Sequence, residues 1–452
     1  MPSKDLDFMA DEKSDVPPDE SQVSLPSYST ELSSHKVVWQ WRWLAALLIL
    51  ALGTQVYGDV EAQYFSSYLV HVGGGTYLEV GIMVALRAVV GAIFYLIWGV
   101  VGDNIRPRIG HRVMIILIGC VVTAGLMFLF VTSSVVAWLI ICSGVLLAIS
   151  SNMFNSNNRA IIADLTPEDR RGRTNTLISV LGLVGSMVVW LPTVTLLPGG
   201  AAEFSWETHF IFIGGAAVII AVTGLATLGL VKEPPPVAPP RSWTQDLRDI
   251  FDRKEMAKHT DFLKLFLAKI FMIASTGAYY SYLLLLLQNL NYDLTTVLLA
   301  IPLIGVPAGL GFYLGGKLTD TIGRRKVTIV SLTIAPLGGL VITFLGATLI
   351  WLMVGFAIML PFTVALGIAT DSWTLDLFPK ESRGRFAGVM NIGGGIGTAA
   401  GVLIAGAVAT FFTNPFAIFA VAGAFLWVSI PFFLHVPEVF KPRERTREML
   451  MH

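Results

Sequence analysis

Residues 164–173 read DLTPEDRRGR, and residues 376–385 read DLFPKESRGR. The second copy begins 212 residues after the first, and each copy directly follows a long apolar run. A repeat of this kind indicates a chain built from two similar halves. Because both copies adjoin apolar runs, we expect the halves to lie in a membrane and to carry these polar segments on the same face of it.

The composition of the 452 residues excludes a soluble fold. Hydrophobic residues make up 54% of the chain and charged residues 14%, against about 25% charged residues in a typical soluble domain. The mean hydropathy is +0.69. The chain has two cysteines, Cys120 and Cys142, each inside an apolar run, so we expect neither a disulfide framework nor a metal site.

Twelve apolar runs are each long enough to cross a bilayer as a helix. They lie near residues 43–69, 76–102, 112–131, 135–163, 174–197, 209–231, 262–289, 294–317, 327–348, 350–376, 386–411 and 414–436. The sequence therefore predicts an all-α membrane protein with twelve transmembrane helices in two six-helix halves. The predicted parts are a disordered tail at 1–41, bundles at 42–231 and 262–437, a linker at 232–261 and a second tail at 438–452.

Lysine and arginine residues predict the orientation in the membrane. Nearly all of them lie in the even-numbered connections and in the two tails, while the odd-numbered connections hold none. Positively charged connections stay in the cytoplasm. We therefore expect the even-numbered connections and both termini to be cytoplasmic, and we call that face inner and the opposite face outer. The expected location is the plasma membrane.

A second repeated pattern follows the second and eighth apolar runs. Its matching residues are Gly99, Asp103 and Arg112 in the first half and Gly316, Asp320 and Arg325 in the second. Together with the twelve spans and the long central connection, this pattern resembles the loop motif of the major facilitator superfamily. The resemblance implies two bundles around a central cavity. It also implies a cytoplasmic latch made by Asp103 and Asp320, with Arg112, Arg324 and Arg325 as their ion-pair partners.

Three short patches in the first half resemble the glycoside–pentoside–hexuronide:cation symporters, most of all their sucrose-transporter branch. These patches are Asp103 to Arg112, Asn158 to Leu165, and the spacing of Gly53, Gln55 and Tyr68. The resemblance implies proton-coupled transport of a sugar or glycoside. One departure is clear, because the position of the branch's proton-carrying aspartate is Ala148 here. If the protein is ion-coupled, another carboxylate must serve.

Charged residues inside the first two spans are functional candidates, because charge is costly at membrane depth. Asp59 and Arg87 each lie about eleven residues from the outer ends of their spans, at a depth of roughly 16 Å. We therefore expect an ion pair between them. Three roles remain open for Asp59, Glu61 and Arg87, namely proton coupling at one of the carboxylates, a structural ion pair, or contact with a charged solute.

Polar residues of the first span fall on two helical stripes. One contains Gln55, Asp59 and Gln63, and the other contains Tyr57, Glu61, Tyr64 and Tyr68. Polar stripes are not expected to face lipid, so both are predicted to line a cavity. Gln55 and Glu61 are accordingly candidates for substrate binding.

The fourth span carries Asn152, Asn155 and Arg159 on one face. Asparagine offers donors and acceptors suited to sugar hydroxyls, so Asn152 and Asn155 are substrate-binding candidates. Arg159 lies near the inner end, and its repeat counterpart is Asp371, which suggests a gate pair; contact with substrate or the coupling acid, and a purely structural role, remain open. The candidate gating residues are Asp103, Arg112, Arg159, Asp164, Asp320, Arg324, Arg325 and Asp371.

The seventh span contains an aromatic cluster of Tyr279, Tyr280 and Tyr282. Aromatic rings stack on the C–H faces of sugars, so Tyr279 and Tyr280 are candidates for the far wall of the site, and an interfacial aromatic belt is the alternative. Lys269 either faces the cavity or extends to the inner surface, the latter being favoured. In the eleventh span the glycine run 393–397 predicts close helix packing or bending at the gate.

These features predict a secondary active transporter that takes up a sugar or glycoside with protons by alternating access. Two alternatives remain open. One is a transporter or exporter of an amphipathic or charged organic solute, and the other is a non-transporting sensor of the same fold. The expected partners are a small-molecule solute, protons or another cation, and the lipid bilayer. We expect a monomer, with no enzyme activity, cofactor, metal or nucleic-acid partner.

Overall fold

The computed structural model describes residues 41–105, 107, 110–166, 171–233, 259–290, 294–377, 383–412 and 414–438. Within these ranges the side chains of 163–164, 171–173, 294–301 and 383–385 are not part of the description. Nearly all of the two predicted tails and most of the predicted linker lie outside the described residues.

The described residues form twelve long helices. Their bounds are α1 Trp41–His71, α2 Tyr77–Asn104, α3 His111–Val131, α4 Val136–Ile141 continuing through a π-helical turn Cys142–Leu147 into Ala148–Leu165, α5 Arg171–Leu196 with a 3-10 extension Leu197–Glu203, α6 Trp206–Leu230, α7a Thr260–Tyr280, α7b Leu283–Gln288, α8 Leu294–Thr321, α9 Arg324–Leu345, α10 Leu349–Leu377, α11 Arg383–Phe411 and α12 Ala417–Leu434. We count α7a and α7b together as α7.

The helices coincide with the predicted apolar runs. Among the described residues, eleven helices are long and apolar enough to cross a membrane. The remaining helix, α8, overlaps the predicted eighth span, and the first part of it has no described side chains. The predicted all-α membrane fold is therefore confirmed.

Local sequence signals set several helix ends. The Thr76 side chain accepts a hydrogen bond from the Glu79 N–H, and the Glu79 carboxylate accepts one from the Thr76 N–H, which is a capping box at the start of α2. Gly110 precedes α3 with φ of 115°, and Gly323 precedes α9 with φ of 100°. Glycine adopts such positive φ values without steric cost. The two glycines therefore start equivalent helices of the two halves.

The same five helix pairs pack together in each half. In the first half they are α1–α5, α1–α6, α2–α4, α3–α4 and α3–α6. In the second half they are α7–α11, α7–α12, α8–α10, α9–α10 and α9–α12. The internal repeat of the sequence therefore corresponds to a repeated packing arrangement.

The two halves meet mainly where α2 packs against α11 and where α1 packs against α7b. In the predicted close-packing run, Gly395 allows the contact between α2 and α11, and Gly397 allows α11 to pack closely on α7a within the second half. A Cβ at Gly395 would lie 2.6 Å from the carbonyl oxygen of Ala88 in α2, and one at Gly397 would lie 2.5 Å from that of Ile270 in α7a. Close packing of this run against its neighbours is confirmed.

Candidate functional site

A cavity of about 460 Å³ lies between the two halves. This volume falls within the range of about 300–1,000 Å³ that is typical of small-molecule sites. Helices α1, α2 and α4 form one side, and α7 and α11 form the other. Its polar lining residues are Glu61, Arg87, Tyr95, Ser151, Asn152, Asn155, Thr276, Tyr280, Ser281, Asn391 and Thr398.

Glu61 and Arg87 form the charged centre of the cavity wall. The Arg87 Nη1 atom lies 3.8 Å from Glu61 Oε1 and donates a hydrogen bond of 3.2 Å to the Glu61 backbone carbonyl. The Tyr57 hydroxyl donates to Glu61 Oε1 at 2.5 Å. Both charged side chains are about 15% exposed, so they reach the cavity and compensate each other's charge.

Asp59 has different surroundings, and the predicted Asp59–Arg87 pair is wrong. Asp59 is 3% exposed and accepts hydrogen bonds from Gln55 Nε2 at 3.2 and 3.3 Å. Residues 59 and 61 are turned about 200° from each other around an α-helix, so matching depth did not place Asp59 opposite Arg87. Among the described residues, no cationic side chain lies within ion-pair distance of Asp59.

The Tyr280 hydroxyl connects Asp59 to the cavity. It donates to Asp59 Oδ1 at 3.5 Å, and the Tyr280 side chain lines the cavity as predicted. Tyr279 does not, because its ring stacks on Phe419 inside the second half. Gln55 is also outside the lining, since its amide is held by Asp59 and by Ser186 Oγ at 3.1 Å.

The second predicted stripe of α1 divides between two environments. Tyr57 and Glu61 reach the cavity region, as described. Tyr64 instead bonds to Thr193, and Tyr68 donates to the carbonyl of Val131 at 2.7 Å, so both lie in the packed interior of the first half. The prediction that the whole stripe lines the cavity is therefore wrong.

The predicted asparagines of α4 both line the cavity. Asn152 donates to the Ala148 carbonyl at 2.7 Å, which leaves its side-chain oxygen as an acceptor. Farther along the same face, the Arg159 guanidinium lies 6.0 Å from the centre of the Tyr95 ring, a cation–π distance.

Asp371, the repeat counterpart of Arg159, pairs within its own half. Its carboxylate is 2.7 Å from Lys269 Nζ, and Lys269 also donates to Thr374 at 3.3 Å. Among the described residues, Arg159 and Asp371 form no ion pair with each other in this conformation. Lys269 itself is buried, but its amine reaches the mostly exposed carboxylate of Asp371 towards the inner end of α10, and it is not among the residues that line the cavity.

The predicted latch residues make contacts within each half. Arg112 pairs with Asp103 at 2.8 Å in the first half. In the second half Arg324 pairs with Asp376, and the exposed carboxylate of Asp320 interacts electrostatically with the Arg324 guanidinium. The Arg325 guanidinium donates to the Leu434 carbonyl at 2.6 Å. The side chain of Asp164 lies outside the described residues.

Two acids that the sequence analysis missed cap equivalent helices at this inner end. Glu233, just after α6, accepts from the Arg112 N–H at 3.0 Å at the start of α3. Glu438, just after α12, accepts from the Arg325 N–H at 3.3 Å at the start of α9. The signal in the sequence was an acid following the last span of each half.

The outer ends of the two halves are bound to each other. Ser67 of α1 donates to Gln288 Oε1 at 3.1 Å, and His71 lies 2.9 Å from the same oxygen. The Tyr282 hydroxyl donates to the Tyr77 carbonyl of α2 at 3.1 Å. In the described part of the chain, the hydrogen bonds between the halves lie from Asp59 outward. The cavity is therefore closed towards the outer face.

Sequence reasoning also missed several neutral lining residues. Ser151, Thr276, Ser281, Asn391 and Thr398 are single polar residues within apolar runs. Such residues also form ordinary bonds to their own helix backbone, so their direction depends on tertiary packing.

Most of the chain matches the sequence model of one protein family. The sequence model of the Major Facilitator Superfamily matches residues 43–375 and 265–450. Compared with curated protein sequences, the chain has no match.

Solved structures share the fold at low sequence identity. A mutant of the nucleoside transporter NupG is similar over 87% of this chain and 99% of its own, with a TM-score of 0.70 and 14% identity. A bacterial homologue of the human lysosomal transporter Spinster, inward-facing and occupied, covers 87% and 96%, with a TM-score of 0.64 and 17% identity. A mutant of the peptide transporter POT with alafosfalin covers 87% and 93%, with a TM-score of 0.61 and 14% identity.

Proposed function

The chain belongs to the Major Facilitator Superfamily, and on that premise we propose that it takes up a neutral, hydroxyl-rich solute together with protons by alternating access. Family membership makes it a multi-pass membrane transporter rather than an enzyme. The solute class we propose is a sugar or glycoside, bound in the cavity between the halves. The proton carrier we propose is Asp59.

The burial of Asp59, which has no cationic partner among the described residues, carries the proton proposal. A buried carboxylate without a cationic partner is costly in its charged form. Hydrogen bonds from Gln55 and Tyr280 offset only part of that cost. Of the two acids on α1, Asp59 is therefore the one whose charge is less compensated in this conformation, since Glu61 has Arg87 beside it. Binding a proton removes the cost, so proton binding favours the closed outer face.

Tyr280 offers a link between the proton and the solute. Its hydroxyl contacts Asp59, and its side chain lines the cavity. A solute that occupies the cavity can therefore alter the hydrogen bond that Asp59 receives. The same hydroxyl provides the route by which a proton on Asp59 reaches the cavity. The sucrose-transporter branch that the chain resembles has its proton-carrying aspartate at the position of Ala148. In this chain Asp59 takes over the role of that aspartate.

The charges of the cavity favour a neutral solute. Among the described lining residues, Glu61 and Arg87 are the charged ones, and they compensate each other. A neutral solute leaves this pair intact, whereas a charged solute must separate it or remain uncompensated. The amides of Asn152 and Asn155 and the hydroxyls of the second half can bind sugar hydroxyls.

The proposed direction is uptake across the plasma membrane, with both termini in the cytoplasm. The placement of lysine and arginine in the even-numbered connections supports the cytoplasmic position of the termini. We also propose that one chain suffices, because the cavity is lined by both halves of a single chain.

Flux measurements in proteoliposomes test the proposal. The solutes are radiolabelled sucrose, maltose, a β-glucoside, uridine and a zwitterionic dipeptide, each measured with and without an inward proton gradient. We expect gradient-driven accumulation of one of the sugars. In Asp59→Asn the accumulation should fall to passive equilibration while counterflow exchange continues, because the solute site remains but the proton carrier is gone.

Asp261→Asn is the matched control, since it changes an exposed carboxylate that pairs with Lys264 on the surface of α7a. It should accumulate solute like the wild type. Accumulation that survives in Asp59→Asn but is lost in Glu61→Gln would assign proton coupling to Glu61. Sugar flux absent under every condition would reject the solute class.

A second candidate is transport of a charged or zwitterionic organic solute. It is supported by the 3.8 Å separation of Arg87 and Glu61, which is too long for a direct hydrogen bond and leaves both groups open to a solute. Flux of the dipeptide that is lost in Arg87→Gln, without any sugar flux, would establish this function instead.

A further inference from the structure

Helix α7 is interrupted, because α7a ends at Tyr280 and α7b begins at Leu283. In an uninterrupted α-helix the backbone N–H of Leu284 would donate to the carbonyl of Tyr280, four residues earlier. At the interruption these two groups need another partner. An unpaired backbone group is costly within a membrane, where water is scarce.

Gln63 of α1 supplies this partner from the other half of the molecule. Its Nε2 donates to the Tyr280 carbonyl at 3.1 Å, and its Oε1 accepts from the Leu284 N–H at 3.1 Å. The Gln63 side chain is buried. One side-chain amide therefore replaces the missing helical hydrogen bond on both sides of the interruption. We call this pair of hydrogen bonds the Gln63 bridge.

The bridge acts on a residue of the transport site. Tyr280 lines the cavity, and its hydroxyl donates to Asp59, one helical turn before Gln63 on α1. Helix α1 thus holds Tyr280 by both its backbone carbonyl and its hydroxyl. Farther outward, Ser67 and His71 continue the same series of contacts to Gln288 at the end of α7b.

We propose that Gln63 is a positioning residue for Tyr280 and that the bridge exists only while the outer ends are together. When the outer ends separate, α1 carries Gln63 away from α7. The Tyr280 carbonyl and the Leu284 N–H then bond to each other, α7 becomes continuous at this point, and Tyr280 leaves Asp59. This inference rests on the alternating-access part of the proposed function and is independent of the solute and of proton coupling.

The chemistry of glutamine fits this role. A side-chain amide carries a donor and an acceptor on one planar group, so it can satisfy a carbonyl and an N–H together. Leucine has similar size and offers neither. The substitution Gln63→Leu therefore removes the bridge while it keeps the packing volume close to that of the wild type.

Hydrogen–deuterium exchange of the Leu284 amide, resolved to single residues, tests the bridge. It is combined with the distance between spin labels at Thr132→Cys and Thr348→Cys, two exposed sites at the outer ends of the two halves. In Gln63→Leu we expect exchange about tenfold faster while the outer ends remain together. If the outer ends of Gln63→Leu instead separate and the Leu284 amide still exchanges slowly, the result also supports the proposal, because Tyr280 then accepts the Leu284 hydrogen bond. Exchange and distance both unchanged would overturn the proposal.

Ser67→Ala is the matched control, because it removes a contact between α1 and α7b without touching the interruption. Its Leu284 amide should exchange slowly whether or not the outer ends separate. Faster exchange in Ser67→Ala, equal to that in Gln63→Leu, would overturn the specific role of Gln63.

The rejoining of α7 needs a protein held open at its outer end. A Cβ at Gly406 of α11 would lie 2.6 Å from the Tyr77 carbonyl of α2, so Gly406→Leu should force the outer ends apart. Gly81→Leu of α2 is a second variant with the same purpose, because a Cβ at Gly81 would lie 3.0 Å from the Val402 carbonyl oxygen of α11. Gly215→Leu on α6 is the control. A Cβ at Gly215 meets no atom within 4 Å, so the distance between the two spin labels should not change.

In the opened variants the Leu284 amide should remain slow to exchange, since Tyr280 now accepts its hydrogen bond. Exchange about tenfold faster than in the wild type would mean that water replaces Gln63, and it would overturn the rejoining. Label distances unchanged in both variants would also overturn the proposal, because the bridge would then cross a contact that does not open. None of these outcomes depends on whether a sugar or a proton is transported.

Discussion

The inner and outer ends of the two bundles are held by different kinds of contact. Among the described residues, the hydrogen bonds at the inner end lie within each half, with Glu233 capping α3 and Glu438 capping α9. At the outer end α1 and α2 bind α7b and α11 across the boundary. Contacts within a half can persist through a transport cycle, whereas contacts between halves must break whenever the outer face opens.

The contacts at the inner and outer ends also differ in whether they follow the internal repeat. The inner caps occur twice, at equivalent points of the repeat, and each begins at a glycine of positive φ. Among the residues whose side chains the structure describes, the hydrogen bonds at the outer end join α1 and α2 to α7b and α11 and have no counterpart between α5 and α8. Residues at the inner end therefore stabilise each bundle, whereas residues at the outer end favour one conformation of the two bundles over another.

The largest effect on stability is expected at an inner contact. Arg324 is mostly buried and pairs with Asp376, and it donates to the Ser372 carbonyl at 2.7 Å. Arg324→Gln should lower the free energy of unfolding by about 2–3 kcal/mol, somewhat below the usual loss for a fully buried pair because Asp376 is partly exposed. Thermal unfolding of the purified protein measures the change.

Lys264→Gln provides the comparison for that variant, since its pair with Asp261 is solvent-exposed. A change of less than about 0.5 kcal/mol is expected there. Equal melting temperatures for the two variants would remove the stabilising role assigned to the inner contacts.

A smaller effect, and one of a different kind, is expected at the outer end. The Tyr282 hydroxyl shares its one proton between the Tyr77 carbonyl across the boundary, at 3.1 Å, and the Val402 carbonyl in its own half, at 2.9 Å. Tyr282→Phe should weaken the closed outer face by about 1–1.5 kcal/mol, roughly a tenfold change in population. The label distance between positions 132 and 348 should lengthen while the melting temperature stays near that of the wild type. A lower melting temperature without a change in distance would contradict the comparison.

The smallest effects are expected at the two inner caps, and the loss should be the larger at Glu233, whose carboxylate also lies 2.9 Å from His111 Nδ1. Glu233→Gln and Glu438→Gln keep a side-chain acceptor at the start of α3 and α9 but remove the negative charge that favours a helix N-terminus. Each should lower the free energy of unfolding by about 0.5–1 kcal/mol. Thermal unfolding of both variants measures the two losses. A larger loss in Glu438→Gln would contradict this expectation.

The helical fold could be predicted because its signal is one-dimensional. Apolar runs longer than a bilayer, and charged connections between them, are visible without any tertiary contact. Small interruptions were not predicted. The break at Tyr280 falls in an apolar, aromatic segment with no proline or glycine between 279 and 283, and its partner Gln63 is more than two hundred residues away.

The site could be predicted only in part, because depth in the membrane does not fix direction around a helix. Glu61, Arg87, Asn152, Asn155 and Tyr280 do line the cavity. The pairing of Asp59 with Arg87 was wrong for this reason. Arg159 and Asp371 could be matched by the repeat, but their partners in this conformation, Tyr95 and Lys269, come from the folding of each half.

The sequence by itself determined the membrane environment, the number and order of the helices, and the two-fold repeat. These features follow from local hydrophobicity and from the spacing of equivalent residues, which need no knowledge of neighbours. The tertiary structure alone decided that Glu61 faces Arg87, that Asp59 is buried with no cation beside it among the described residues, and that Gln63 completes a helix of the other half. Such contacts depend on helix rotation and on which conformation brings the two halves together, because a hydrogen bond requires positions within a few tenths of an ångström.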